Sequence, residues 1–128
     1  MIIDFRVRPP FEPYSNCNLF PKGYTPMPKM VGKLRSSFSR AALEFSMELC
    51  LQEAEEAGID KLVVPCRRVL GNGNPELKKL IEKYPRQIIG MAGIEANNLK
   101  AAVKDIEEYV LNGPCKGIIL EPGQDSWP

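Results

Sequence analysis

Residues 61–92 read KLVVPCRRVLGNGNPELKKLIEKYPRQIIGMA, and this stretch decides the fold. It opens with the apolar run Lys61-Leu62-Val63-Val64-Pro65 and closes with a second, Gln87-Ile88-Ile89-Gly90-Met91-Ala92. Neither run alternates apolar with polar, so both faces of each strand are expected to be covered, as in a parallel sheet. Between them, Leu77, Leu80, Ile81 and Tyr84 recur at helical spacing, with Asn74 as the expected N-cap, Pro75 at N1 and Pro85 as the stop. The glycine-rich Gly71-Asn72-Gly73-Asn74 lacks the lysine and third glycine of a phosphate-cradling loop and reads as a turn feeding that cap. Strand, helix, strand is a crossover unit, which is right-handed and brings its two strands together in parallel.

The same grammar extends in both directions. Upstream, Leu43, Met47, Cys50, Leu51 and Ala54 form one helical stripe, stopped by Gly58 at the C′ position. Downstream, Asn97 or Asn98 caps a helix whose buried stripe is expected to be Leu99, Val103, Ile106 and Val110, ended by Gly113-Pro114. The charges on the opposite faces, Glu53/Glu55/Glu56 and Lys104/Asp105/Glu107/Glu108, are expected in solvent. Ile2–Val7 and Gly117–Leu120 complete four strands. The resulting order, with three helices between four strands, fits either a doubly wound sheet or half of a (βα)8 barrel. No glycine fingerprint for a dinucleotide follows the first strand, where Arg6-Val7-Arg8-Pro9 stands instead. Residues 9–36 form a long proline-rich loop after strand 1, with Pro9, Pro10, Pro13, Pro21, Pro26 and Pro28. So long a connection inside a compact domain is commonly a functional lid or a mobile segment.

Composition removes several function classes. The chain has 128 residues, the size of one domain. Its 17 Lys and Arg nearly balance 16 Asp and Glu, without the basic excess of a nucleic-acid-binding module. No apolar run approaches the roughly 20 residues that span a bilayer, and the N-terminus does not read as a secretory signal. Histidine is absent, so the chain offers no Ser-His-Asp triad, no Cys-His dyad and no histidine-ligated metal. The four cysteines, Cys17, Cys50, Cys66 and Cys115, form no CxxC pair and read as free thiols of a reducing, cytoplasmic protein.

Four segments, MIIDFRVRPP (1–10), EAEEAGIDKLVVPC (53–66), LIEKYPRQIIGMAGIE (80–95) and CKGIILEPG (115–123), stand in the order and spacing of the amidohydrolase-related family. That TIM-barrel group includes aminocarboxymuconate-semialdehyde decarboxylase, and the chain resembles its N-terminal half. The resemblance implies an α/β fold, a parallel βαβαβαβ half of a (βα)8 barrel, with residues 1–128 as one partial barrel domain. It makes Ile2–Val7 the first barrel strand and Gly117–Leu120 the fourth. A whole barrel takes roughly 250 residues, so strands five to eight are not in this sequence. Family members grip a metal through a His-x-His pair at the end of strand 1, and here those positions are Arg6 and Arg8. A guanidinium is permanently protonated and has no lone pair to give a cation. No metal and no other cofactor is therefore expected.

In place of the metal, arginines gather at the strand ends. At the C-terminal mouth of strand 1, Arg6 and Arg8 are expected to share one side of the sheet, since i and i+2 face alike. Arg67 and Arg68 follow strand 2, Glu95 follows strand 3 and Glu121 follows strand 4. Barrel active sites are assembled at this end. Arg6, Arg8, Arg67 and Arg68 would bind a small carboxylate by bidentate hydrogen bonds, with Glu95 or Glu121 as acid or base. Some relatives process lactones of dicarboxylic acids without a metal, which implies an anionic substrate. Alternatively, Arg6 and Arg8 pair with Asp4, Glu95 or Glu121 and only neutralise the interior, with catalysis lost. A further expectation is a non-catalytic half-barrel that associates with a second copy, as a homo-oligomer, or with another barrel half.

Overall fold

A computed structural model describes residues 1–12, 39–68 and 72–121. Four strands, β1 (Ile3–Phe5), β2 (Lys61–Pro65), β3 (Ile88–Gly93) and β4 (Gly117–Ile119), form one sheet in chain order, every pair parallel. Four α-helices accompany them: α1 (Arg40–Glu44), α2 (Met47–Glu56), α3 (Asn74–Lys83) and α4 (Leu99–Ile106), the last continuing into a π-helical turn at Glu107–Leu111. The chain is thus an α/β half-barrel. Among the described residues no helix is long and apolar enough to cross a membrane.

The core lies between the sheet and its helices. Leu62, Val64 and Cys66 of the β2 segment and Ile88, Ala92 and Ile94 of the β3 segment meet Leu77, Leu80 and Ile81 of α3 and Met47 of α2. Gly90 permits this close approach, because a Cβ there would collide with Ile81 and Leu77. The opposite, concave face carries Phe5, Val63, Pro65, Met91 and Ile119 around a hollow of about 180 Å³.

Strand 1 is shorter than the sequence suggests. Arg6 adopts φ 81°, and the amides of Arg6 and Val7 both donate to the carbonyl of Val63, at 3.1 and 2.8 Å. This bulge-like turn ends the alternation of the strand. Phe5 lines the concave hollow, yet Val7 packs against the core on the other side. Arg6 and Arg8 therefore do not face alike by the i, i+2 rule. Of the expected loop 9–36, Pro9, Pro10 and Phe11 are buried, with the Phe11 ring edge-on to Tyr84 at 6.1 Å. Residues 13–36 of that loop, including Cys17, lie outside the described residues.

Three helix readings also need correction. The expected single first helix is two, separated at Phe45, which takes φ 53°. Ser39 and Ser46 each accept from the amide three positions on, so both helices are capped. Glu53 is not simply a solvated charge, since its carboxylate accepts from the amide of Arg40 at 2.9 Å and ties the two helices together. Of the stripe expected for α4 and the turn after it, Ile106 and Val110 pack against the core, whereas Leu99 is 78% exposed and Val103 is exposed too. The fully buried positions are Ala102, Asp105 and Tyr109, so an ion pair through Asp105 and the ring of Tyr109 turn the buried face by one residue. Asn98 does cap this helix, accepting from the amide of Ala101 at 3.1 Å.

Asn74 does something other than cap. It is fully buried; its Nδ2 donates to the carbonyl of Gly93 at 3.0 Å, and its Oδ1 accepts from the Gly93 amide at 2.9 Å. One side chain thus satisfies both backbone groups at the end of β3. Asn74→Ala leaves a buried donor and a buried acceptor without partners, at about 1–3 kcal/mol each. We expect it to lower unfolding free energy by about 3 kcal/mol in urea titrations, whereas Asn72→Ala, which loses the 3.4 Å bond its Oδ1 accepts from the Asn74 amide at an exposed position, costs less.

Candidate functional site at the strand ends

Because all four strands are parallel, their C-terminal ends emerge together, and the charged residues after them form two groups. In the first, Glu121, following β4, receives Arg67, following β2, whose Nε lies 3.2 Å from both Oε1 and Oε2. Arg6, at the end of β1, adds its Nη2 at 3.3 Å from Oε1. The side chain of Glu121 is 13% exposed and that of Arg6 is 55% exposed. Residues from three strand ends are thereby linked through one carboxylate.

In the second group, Arg68 Nη2 lies 3.5 Å from Glu95 Oε2 and 3.6 Å from Asp105 Oδ2. Arg68 Nη1 and Asp105 Oδ2 are buried without a hydrogen-bond partner. Asp105 is 7% exposed, and burial raises its carboxyl pKa above the ordinary aspartate value, with Arg68 opposing that shift. Tyr109, on the same face of the helix, is pushed up to about 12, first by burial and then by Glu108. Arg8 is half-buried and forms no ion pair among the described residues.

The expected six residues are therefore not one constellation. Arg6, Arg67 and Glu121 are joined, Arg68 and Glu95 are joined separately, and Arg8 stands apart from both ion-pair groups. Asp105 escaped the sequence reading because its neighbours Lys104, Glu107 and Glu108 make it look like part of a solvated face. Its helical register with Ala102 and Tyr109, three before and four after, was the available signal. The expectation that Arg6 or Arg8 pairs with Asp4, Glu95 or Glu121 is met at one contact, Arg6 with Glu121.

Residues 6 and 8 do not fit the metal that the family resemblance would place between them. Neither offers a lone pair, and the Arg6 guanidinium already engages a carboxylate. The thiols do not take up the role either. Cys50 and Cys115 are free thiols, and burial pushes both up to about 11, away from reactive thiolate.

A four-stranded parallel sheet in chain order, curved around an apolar concave face, with its polar groups at the strand ends, defines half of a (βα)8 barrel. In agreement, the chain is similar to a crystal structure of an uncharacterized TIM-barrel protein from Bordetella bronchiseptica, with TM-score 0.70 and 29% sequence identity. The similarity covers 98% of this chain and 45% of that one, so the chain spans less than half the length of that barrel protein. No protein-family model and no curated protein matches the sequence.

The raised pKa of Asp105 has a definite sign. Between the ordinary aspartate value and the raised one, the folded state binds more protons than the unfolded state, so stability falls as pH rises through that window. The stability difference between the parent chain and Asp105→Asn, followed by urea titration at successive pH values, should move against the parent as pH rises and level off above the raised value. A difference independent of pH would contradict the assignment.

Proposed function

We propose that the chain forms part of an amidohydrolase-related barrel in which Arg6 and Arg8 replace a metal-gripping pair, and that its strand-end mouth binds a small carboxylate-bearing molecule without a metal. The observation that carries this reading is the convergence of Arg6 and Arg67 on Glu121. Two guanidiniums share one carboxylate there, leaving net positive charge where barrel sites are built. More than half of the Arg6 side chain is exposed, and among the described residues one of its nitrogens is engaged, at 3.3 Å. An incoming carboxylate replaces Glu121 as the acceptor for Arg6, and Glu121 keeps Arg67 in position.

The two carboxylates have different parts in this reading. Both oxygens of Glu121 accept from Arg67 Nε, so Glu121 orients guanidiniums and is poorly placed to take a proton from substrate. Glu95 is more open, 39% exposed against 13%, with one oxygen near Arg68. It is the better acid or base for a substrate held by Arg6. Arg68 is a positioning residue for Glu95.

The backbone of Arg6 supports a functional role for its side chain. A non-glycine residue at φ 81° carries strain of about 1–3 kcal/mol, and such strain concentrates at binding and catalytic positions. Glycine would adopt the same backbone freely. Arg6→Gly therefore removes the guanidinium while keeping the turn.

Thermal unfolding in malonate, succinate and citrate tests the proposal. A ligand at 100 times its Kd adds about 2.7 kcal/mol, which raises Tm by several degrees. We expect such a rise with at least one of these anions, surviving at constant ionic strength. In Arg6→Gly the rise should vanish, with Tm in plain buffer equal to or above the parent's. No anion-specific shift in the parent chain would overturn the reading.

A further inference from the structure

We propose that the concave face of this half-barrel is the seat of a second copy of the chain, the two closing into one eight-stranded barrel around a shared interior. The inference rests on the half-barrel reading and shares one residue with the anion site, Arg6, which lines the rim of the same hollow. The concave lining draws on all four strands, through Phe5, Val63, Pro65, Met91 and Ile119. Phe5 is 72% exposed and Ile3 is 44% exposed. A parallel sheet is stable with both faces covered, and among the described residues the β1 side of the concave face, at Ile3 and Phe5, is left open to solvent while Val63 is buried.

The two edge strands are complements. β1 and β4 are each three residues long and parallel, and they lie at opposite margins of the sheet. A two-fold axis along the barrel sets β4 of one copy beside β1 of the other, and repeats that contact on the far side. Both edges are used in a single operation, and four strands twice give the eight of a closed barrel. Point-group closure of this kind leaves no edge for further addition.

The interior suits the same symmetry. A barrel of this type packs its interior in layers of four side chains taken from alternate strands, so each layer draws two side chains from each copy. Phe5, Val63 and Ile89 lie side by side in the register of the first three strands, as do Pro65, Met91 and Gly117 in the next. Gly117 leaves room for its neighbour, since a Cβ there would approach the Met91 methyl to 2.8 Å. Strand positions lining the hollow are apolar, and the formal net charge of +1 per chain gives little repulsion between copies.

Light scattering on the 128-residue chain across micromolar concentrations is the test, with helix content followed by circular dichroism. The expected result is a dimer of twice the 14.3 kDa chain mass. Phe5→Ala and Ile119→Ala should each weaken it at least tenfold, as truncation of central interface residues does. Leu99→Ala, on the exposed side of α4, should leave it intact. Phe5 is so exposed in the single chain that its truncation should spare the fold. A folded monomer overturns the proposal and leaves the concave face to other strands. Open-ended oligomers, or a dimer broken by Leu99→Ala and not by Phe5→Ala, overturn it as well. A monomer whose Tm still rises with malonate discards the pairing alone, whereas a dimer indifferent to every anion discards the anion site alone.

Discussion

The buried amide of Asn74 holds the architecture at the point where chemistry is placed. Helix α3 follows β2 in the chain and must lie against β3, and Asn74 fixes that arrangement by exchanging two hydrogen bonds with the backbone of Gly93. Gly93 has no side chain, and its missing Cβ would have struck the carbonyl of Cys66 at 2.5 Å. The ends of β2 and β3 are thereby drawn together in one register. Arg67 and Arg68 leave one strand and Glu95 leaves the other from positions set by this clasp. A polar residue in a core is costly unless every group is satisfied, and here both ends of the amide are used.

Charge at the strand ends is arranged on two levels. Glu121 collects guanidiniums from the first and second strands and so ties the margins of the sheet across its mouth. Arg68 points instead toward α4 and accounts for the buried Asp105, which would otherwise have no reason to face inward. The outer group is open enough to exchange partners with an arriving anion. The inner one is closed, and its imperfect hydrogen bonding is reflected in the raised pKa of Asp105. Burial outweighs attraction at that site, as it does for many ion pairs removed from water.

Much of the fold was legible because it rests on long, strongly patterned elements. The runs around Val63 and Ile89, the stripe Leu77-Leu80-Ile81 and the stop at Gly58, which takes φ 72°, all follow from periodicity and backbone chemistry. What escaped was local and tertiary. Nothing in Phe5-Arg6-Val7 announces that an arginine will take a left-handed conformation and reverse the facing of Val7. An asparagine ahead of a proline looks like a cap until a neighbouring strand claims its side chain. Likewise, Asp105 becomes a buried residue only once Arg68 is brought against it from a segment 37 positions away. The arginines and glutamates of the site could be named from their positions after strands, but their division into two groups depends on reach and angle, which spacing does not encode.

The widened turn at Glu107–Leu111 has a consequence for how this protein can vary in length. A π turn accommodates one residue more than a regular helix in the same span, and here Cys115 returns its amide to the carbonyl of Tyr109 directly afterwards. Removing a single residue from this turn would restore ordinary helical winding but rotate everything on one side of it by about 100°. Tyr109 or β4 would then be misdirected. Homologous chains that lack the extra residue must compensate in the Asn112–Pro114 connection, so insertions and deletions should occur in pairs across this corner.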